Sequence, residues 1–138
     1  MAFTLVHAEG INWVKDYKTA LYTATSAKKP VMFLLSSRGC KWCDHLKKNA
    51  LSDPKVIAKL NKEFVAVEAY SHIENFPSTL RTQGTPATWF LTPMGEPMYQ
   101  PMVGSMDAEN FLNALDIVET TFKKPAEQSK PGDAEASK

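Results

Sequence analysis

Residues 31–43 read VMFLLSSRGCKWC, an apolar run followed at once by a turn and two cysteines. The run from Val31 to Leu35 is continuous rather than alternating, which is typical of a strand buried on both faces. The turn from Ser36 to Gly39 precedes apolar residues at helical spacing, so we expect a helix to begin at Cys40. The pattern therefore predicts a central strand that delivers a Cys-x-x-Cys pair to the start of a helix.

The sequence on either side of this segment predicts a β-α-β unit. Upstream, residues 11–27 carry apolar side chains at helical spacing with Asn12 as a cap, which predicts an N-terminal surface helix. Downstream, the helix from Cys40 to Leu60 is expected to kink or restart at Asp53-Pro54, and residues 64–69 alternate as a second strand. Residues 71–83 are expected to form a loop with a short helix.

The C-terminal half predicts two antiparallel strands and a last helix. The strands are expected at residues 87–91 and 99–103, because the Pro- and Gly-containing turn between them is too short for a crossover helix. Asp107 is expected to cap a helix that carries Phe111, Leu112, Leu115 and Val118. The predicted fold class is α/β: a central mixed β-sheet flanked by helices, with an N-terminal helical extension.

The composition fits one globular domain. The chain has 138 residues, of which 43% are hydrophobic and 22% charged, so it can bury a core without extra staples. Its 16 basic and 15 acidic side chains give a net charge of +1, which offers no electrostatic reason to expect nucleic acid or anionic lipid as a partner. No apolar stretch approaches the roughly 18–20 residues that a membrane span needs.

The two ends of the chain differ in composition from the predicted domain at residues 9–122. Residues 1–8 are apolar and end in Val-His-Ala, which fits the end of a signal peptide cleaved after Ala8, although the usual basic region is missing. The alternative is an ordinary N-terminal strand, and the sequence leaves cleavage open. Residues 123–138 hold only Pro, Gly, Ser, Ala and charged or amide residues, which predicts a disordered polar tail.

The chemistry is expected at Cys40 and Cys43, the only cysteines of the chain. Free amides and the dipole at a helix N-terminus favour a thiolate, and Arg38 and Lys41 add positive charge. We expect Cys40 to titrate below the free-thiol value of about 8.5 and to be the attacking nucleophile. Cys43, one turn further in, would then resolve the mixed disulfide.

Three other interpretations of the cysteines are less favourable. A purely structural disulfide over four residues would remove little chain entropy, about 2 kcal/mol by loop closure, from a domain that needs no staple. A zinc site would need four ligands, and only His45 and His72 stand with the cysteines in the domain, so no metal is predicted. Inert buried thiols do not fit basic neighbours at a helix start.

Several stretches between Trp13 and Val118 carry a family resemblance. They are KPV at residues 29–31, CKWC at 40–43, LSDPKV at 51–56, GTPAT at 84–88 and VGSMDAENF at 103–111. On these stretches the sequence resembles the thioredoxin-like superfamily, and within it the C-terminal periplasmic domain of DsbD-type thiol:disulfide interchange proteins and their free-standing relatives. The resemblance implies a bacterial protein with a thioredoxin fold.

The resemblance also implies the substrate-binding residues. It implies a cis peptide bond at Thr85-Pro86 opposite the dithiol, with the Thr85 backbone pairing with an extended segment of the substrate protein. The aromatic residue that usually precedes the first cysteine is Gly39 here, so Trp42 is expected to supply the contact surface. Gly39 and Lys41 are expected to tune the thiols, and because Lys41-Trp42 is not Gly-Pro, the redox potential does not carry over.

A further departure concerns proton transfer. The buried carboxylate that many thioredoxins carry six residues before the first cysteine is Leu34 here. Water or another acid must then move the proton of Cys43, and Asp44 and Glu68 are the candidates.

Three side features have mainly structural interpretations. His45 could tune the thiols, but a solvated helix position is favoured. The series Met94, Met98, Met102 and Met106 could suggest a Cu(I) site, but Pro97 and Pro101 forbid a helix there, so packing or a partner surface is favoured. Arg38, Lys41, Lys47 and Lys48 form a predicted basic rim near the dithiol, more typical of a solvated face than of a docking site.

The favoured function is a thiol–disulfide oxidoreductase that uses the Cys40–Cys43 disulfide and no other cofactor. We expect it to act as a monomer, to reduce disulfides of exported proteins and to take electrons from a membrane or soluble reductase. The expected location is the periplasm or outside the cell, with the cytoplasm as the alternative.

Other functions stay open at this point. A dedicated apocytochrome c thiol reductase is disfavoured, because those relatives usually place an acidic residue where this chain has Ala87. A non-catalytic binding or chaperone module would not need the two cysteines. An oxidant or isomerase role is also open, although the chain has no dimerisation arm.

Overall fold

The apolar run that begins at Val31 forms the central strand of a five-stranded sheet. The computed structural model describes residues 10–124. Its elements are β1 (Trp13–Val14), α1 (Tyr17–Ala27), β2 (Val31–Ser36), α2 (Lys41–Lys48), α3 (Pro54–Glu63), β3 (Val65–Tyr70), β4 (Ala87–Leu91), β5 (Met102–Val103) and α4 (Ala108–Lys123), with short 3-10 turns at Ala50–Ser52 and Ser78–Leu80.

The sheet is mixed, with strand order β1-β3-β2-β4-β5. Strand β2 runs parallel to β3, with Leu34 opposite Glu68, and antiparallel to β4, with Leu34 opposite Thr88. Strand β1 lies parallel to β3 at one edge, and β5 lies antiparallel to β4 at the other. All six residues of β2 are buried, so the continuous apolar run correctly predicted a strand covered on both faces.

Helices cover the two faces of the sheet unequally. Successive residues of β2 point to opposite faces. Met32 and Leu34 pack in a core with side chains of α2, α3 and α4, whereas Phe33 and Leu35 pack in a core with α1. The helix that begins after Cys40 therefore lies on the face of Leu34.

The predicted restart at Asp53-Pro54 is confirmed. Helix α2 ends at Lys48, a 3-10 turn follows, and α3 begins at Pro54. The Asp53 carboxylate accepts hydrogen bonds from the backbone amides of Lys55 and Val56, and proline is tolerated in a first turn because its missing N–H needs no partner there. The short helix in the loop at residues 71–83 and the Asp107 cap of α4 are also confirmed.

The prediction for residues 11–27 is wrong in its first part. Trp13 and Val14 form a strand against β3, and α1 begins only at Tyr17. The cap is Asp16, which accepts a hydrogen bond from the amide of Thr19 at 2.9 Å, whereas the amide of Asn12 donates to the side chain of Asn61. The helical spacing of apolar residues thus includes Trp13 and Val14, although pairing with β3 holds these two residues in an extended conformation.

The last strand is also shorter than predicted. Only Met102 and Val103 of residues 99–103 form ladder pairs, because Pro101 cannot donate to a ladder. At the C-terminus, α4 continues through Lys123, the first residue of the predicted tail. The predictions for residues 1–8 and for 125–138 lie outside the described residues. Within the described part of the chain, no helix has the length and apolar composition needed to cross a bilayer.

An ion-pair cluster joins α3 to α4. Lys59 contacts Asp116 and Glu119, and Lys123 contacts Glu63 and Glu119. Hydrogen bonds from Lys123 and then from Lys59 lower the pKa of Glu119 below its usual value of 4.5. A carboxyl with a lower pKa in the folded state stabilises the fold above its unfolded pKa, and this contribution is lost as the pH falls through the folded pKa.

We therefore expect acid sensitivity that depends on Glu119. Thermal stability should decline as the pH falls below 4.5, and Glu119→Gln should lessen this decline because the amide cannot titrate. Unfolding midpoints measured from about pH 6 down to about pH 3 check this. Parallel curves for the two proteins would contradict it.

Candidate active site

Cys40 is the N-cap residue of α2. The chain turns out of β2 through Gly39, whose φ of +65° lies in the left-handed region that favours glycine. The Cys40 sulfur then accepts a hydrogen bond from the amide of Cys43 at 3.1 Å, in the place where a serine or aspartate oxygen commonly caps a helix. The sulfur therefore lies at the positive end of the helix, where a thiolate is favoured.

The structure brings the two cysteines together as a disulfide, with their Cα atoms 5.2 Å apart. Their environments differ. Cys40 is half-buried, whereas Cys43 is only 2% exposed. An external thiol or disulfide can therefore approach the sulfur of Cys40 and not that of Cys43.

The loop before β4 lies against the sulfur of Cys40. The Thr85-Pro86 peptide bond is cis, the carbonyl oxygen of Thr85 lies 3.7 Å from Cys40 Sγ, and the Thr85 hydroxyl donates to the same sulfur at 3.5 Å. The hydroxyls of Ser37 and Thr85 are hydrogen-bonded at 2.6 Å, and the amide of Gly104 donates to the Pro86 carbonyl at 2.7 Å. These bonds hold Thr85 beside the dithiol.

Trp42 is the large apolar side chain that α2 presents next to the disulfide. It is 53% exposed, the Lys41 ammonium lies 5.6 Å from the centroid of its ring, and the centroid of the His45 ring lies 5.2 Å from it. His45 Nδ1 is hydrogen-bonded to the hydroxyl of Ser105 at 2.7 Å. His45 is exposed, as predicted, but it also links α2 to the loop before α4.

A groove of about 630 Å³ lies beside Trp42, between α2 and the loop before α4. Its lining residues are Trp42, His45, Asn49, Gly104, Ser105, Met106, Asp107 and Ala108. The sequence reasoning missed Ser105. The one sequence signal that could have suggested Ser105 is the glycine before it, because glycine is common in turns. In the structure Gly104 has a φ of +105° in the loop before α4.

Only three of the four residues predicted for the basic rim lie on it. Arg38, Lys41 and Lys48 are exposed around α2, but Lys47 turns inward, where it forms an ion pair with Glu68 at 2.8 Å and donates to the Tyr70 hydroxyl. Burial lowers the pKa of Lys47, but its hydrogen bonds to Glu68 and Tyr70 outweigh burial and raise that pKa above the ordinary value of 10.5. Lys47 therefore belongs to a network below the helix and not to the rim.

The remaining candidate ligands are engaged elsewhere. His72 packs against the ring of Tyr70, and among residues 10–124 no three His, Cys, Asp or Glu side chains are grouped so that they could hold a metal ion. Met98, Met102 and Met106 pack against the core under α2 and α4, so the packing interpretation is confirmed for these three. Met94 is exposed.

Comparison with known proteins identifies the family. The family model of a thioredoxin-like domain matches residues 17–119, and the chain belongs to this family. The resemblance and the fold class predicted from the sequence are confirmed. The chain carries the Cys-x-x-Cys pair of thioredoxin-fold disulfide oxidoreductases at Cys40 and Cys43.

Solved structures show the same fold. A thioredoxin from Thermus thermophilus is 27% identical, with a TM-score of 0.67 over 79% of this chain and 87% of that one. The C-terminal domain of DsbD from Neisseria meningitidis, in its oxidised form, is 20% identical, with a TM-score of 0.58 over 72% and 90% of the two chains. A thioredoxin-fold protein from Helicobacter pylori is 17% identical, with a TM-score of 0.62 over 73% and 77%. No curated protein sequence matches.

Proposed function

We propose that this chain reduces disulfide bonds of exported proteins, with Cys40 as the attacking nucleophile and Cys43 as the resolving thiol. The observation that carries this proposal is the unequal burial of the pair. Cys40 is half-buried at the helix N-terminus beside Thr85, and Cys43 is 2% exposed behind it. Only the first sulfur is placed to meet a protein substrate, and only the second is placed to attack the first.

The reaction follows from this arrangement. The Cys40 thiolate attacks one sulfur of the substrate disulfide, a Cys40–substrate bond forms, and the other substrate sulfur leaves as a thiolate. Cys43 then attacks Cys40, the intramolecular disulfide forms, and the second substrate sulfur leaves. The substrate gains two electrons and the Cys40–Cys43 pair loses two. A reductase must return these electrons by attacking the sulfur of Cys40, the less buried of the two cysteines.

Substrate binding is assigned to Trp42, Thr85 and Pro86. The exposed indole of Trp42 offers apolar surface beside the disulfide. The carbonyl of Thr85, 3.7 Å from Cys40 Sγ, offers a backbone acceptor to an extended segment whose cysteine reaches that sulfur. Gly39 and Lys41 flank the nucleophile and would tune it. The proposal needs a protein disulfide and a reductase as partners and no further cofactor, and the chain would act as a monomer.

The reducing direction and the location outside the cytoplasm are supported by two observations. The apolar sequence of residues 1–8 is compatible with the end of a signal peptide, and the chain resembles the C-terminal periplasmic domain of DsbD-type thiol reductases. We place the protein in the bacterial periplasm. The residue after Pro86 is Ala87, fully buried in the core under α1, and not the acidic residue usual in apocytochrome c reductases, so that specialisation is not favoured.

A glutathione redox titration tests the proposal. The purified chain would be equilibrated at graded ratios of reduced to oxidised glutathione, and free thiols would be trapped and counted, with Cys40→Ser and Cys43→Ser as controls. We expect a potential below the cytosolic glutathione poise of about −220 to −260 mV. A potential well above it would indicate an oxidant or isomerase, and no Cys40–Cys43 disulfide at any ratio would overturn the oxidoreductase assignment.

A further inference from the structure

We propose that Ser37 is a positioning residue: its hydroxyl donates to Thr85 Oγ1 and thereby turns the single hydroxyl proton of Thr85 toward the sulfur of Cys40, where it stabilises the thiolate. This inference deepens the proposed function and rests on it, because it concerns the nucleophile that attacks the substrate disulfide. The hydroxyl of Thr85 thus has a task separate from that of its backbone carbonyl, which is proposed to meet the substrate.

Ser37 joins the turn before Cys40 to the loop before β4. Strand β2 ends at Ser36, and Ser37 is the first residue of the turn that leads to α2. Its side chain is half-buried, and its hydroxyl oxygen lies 2.6 Å from Thr85 Oγ1, a residue 48 positions away in sequence. Ser37 is therefore in direct contact with the group that faces the sulfur.

The direction of these hydrogen bonds follows from the number of protons. A serine or threonine hydroxyl carries one proton that it can donate and two lone pairs that can accept. Thr85 Oγ1 lies 3.5 Å from the Cys40 sulfur and 2.6 Å from Ser37 Oγ, so Thr85 can donate to only one of these two atoms. Whenever Thr85 donates to the sulfur, Ser37 must donate to Thr85.

Reduction of the disulfide selects this direction. A disulfide sulfur is a weak acceptor, so the bond between the two hydroxyls can run either way in the oxidised protein. The Cys40 thiolate is a charged acceptor, and hydrogen bonds to ionised groups are roughly twice as strong as neutral ones. Donation from Ser37 also polarises the Thr85 hydroxyl and makes it a better donor. The thiolate is therefore stabilised by a chain of two hydroxyls.

The chain of hydroxyls adds a second donor to the one that α2 supplies. The amide of Cys43 donates to the Cys40 sulfur at 3.1 Å from the helix, whereas the Thr85 hydroxyl reaches the same sulfur from the loop before β4. Cys40 is half-buried, so protein donors must replace part of the water that would otherwise solvate its charge. Loss of the second donor should therefore make the thiolate harder to form.

The charged groups around the dithiol do not change with Ser37. Four of them are exposed on the turn and on α2, and the others are the N-cap carboxylate of α4, the imidazole after β3 and the ion pair below α2. They are Arg38, Lys41, Asp44, His45, Asp107, His72, and Lys47 with Glu68. Because Ser37→Ala adds and removes no charge, these groups contribute equally to the titration of Cys40 in all the variants compared below.

The test measures how the reactivity of Cys40 depends on pH. The chain would carry Cys43→Ser, which leaves Cys40 as its only thiol. Reduced protein would be alkylated with iodoacetamide, which reacts with the thiolate, over a graded series of pH values. The modified fraction would be counted by mass spectrometry, and the midpoint of the rate against pH would be compared for Ser37→Ala, Ser37→Thr, Thr85→Val and the double variant Ser37→Ala, Thr85→Val.

Ser52→Ala is the matched control. It removes the same hydroxyl from a serine that also makes a short hydrogen bond, to the carbonyl of Lys47 at 2.7 Å, beyond the far end of α2. This hydroxyl makes no contact with the sulfur of Cys40. The midpoint of Ser52→Ala should therefore equal that of the parent.

We expect Ser37→Ala to raise the midpoint by about 0.5–1 pH unit, the size expected for one hydrogen bond. Ser37→Thr restores the hydroxyl and should keep the midpoint of the parent. Thr85→Val should raise the midpoint at least as much as Ser37→Ala. Adding Ser37→Ala to Thr85→Val should raise it no further, because Ser37 acts only through the Thr85 hydroxyl.

Two results would overturn the inference and leave the proposed function standing. One is an equal midpoint for Ser37→Ala and Ser52→Ala, and the other is a full additional shift when Ser37→Ala is added to Thr85→Val. Ser37→Gly, which a turn tolerates, makes the same comparison if Ser37→Ala does not fold. Failure of Cys40 to form a mixed disulfide with a disulfide-bonded peptide in the Cys43→Ser parent would overturn the proposed function and this inference together.

Discussion

Cys40→Ser is expected to reduce the rate of disulfide reduction to the uncatalysed background. The variant keeps the fold, because serine is a preferred helix cap and its oxygen can accept the hydrogen bond from the Cys43 amide. It loses the nucleophile that forms the mixed disulfide, and the buried Cys43 cannot replace it. The measurement is the rate at which a disulfide-bonded peptide is reduced in the presence of an excess reductant, followed by the fluorescence of the released fragment.

Cys43→Ser is the matched control for this prediction. It keeps the Cys40 nucleophile, so the first step proceeds and the Cys40–substrate mixed disulfide accumulates because nothing resolves it. Accumulation of a mixed disulfide between Cys43 and the substrate in Cys40→Ser would contradict the assignment of roles. If a double Cys40→Ser, Cys43→Ser variant kept the full biological activity, the chain would be a binding module and not an oxidoreductase.

Phe111→Ala is expected to cause the largest loss of stability. Phe111 lies in the first turn of α4, is fully buried, and packs in the core that also contains Leu34 and Leu46. Removing a buried phenylalanine ring typically costs about 3–5 kcal/mol, as lost burial and as a cavity. Total unfolding free energies are about 5–15 kcal/mol, so the variant should be marginally folded. Urea unfolding followed by circular dichroism measures the difference.

Ile117→Ala on the same helix is the control. Ile117 is 58% exposed, so its truncation removes little buried area and should change the unfolding free energy by no more than about 0.5 kcal/mol. Equal losses for Phe111→Ala and Ile117→Ala would contradict the assignment of the inner face of α4.

Those parts of the fold that depend on local pattern were predicted well. The strand from Val31 was predicted because a continuous apolar run indicates burial on both faces. The helix after Cys40 was predicted because the turn and the helical spacing lie in adjacent residues. Asp53-Pro54 gave the restart of α3, because both its cap and its proline act within one turn. The first strand was missed because Trp13 pairs with Ala66, which is far away in the sequence. The spacing of apolar residues within residues 11–27 contains no information about such a distant partner.

The residues of the site likewise divide into those predicted from a short stretch of sequence and those that depend on distant contacts. Cys40 and Cys43 are evident from four consecutive residues, and Thr85-Pro86 came from the family resemblance. The contacts of Ser105 and of Lys47 were not predicted, because His45 and Ser105 are 60 residues apart in sequence and Lys47 and Glu68 are 21 apart. Lys47 was predicted to be a solvated lysine because only the folded sheet brings the Glu68 carboxylate next to it.

The two outer strands of the sheet have a consequence for how copies of the chain behave at high concentration. β1 and β5 are each two residues long, and Pro97 and Pro101 shortly before β5 offer no N–H. Fibrous assembly commonly starts where a long, flat row of free amides and carbonyls accepts a strand from another molecule. Within residues 10–124 neither outer strand is long enough to offer such a row, so we expect strand addition at β1 or β5 to be a poor route to fibrous assembly.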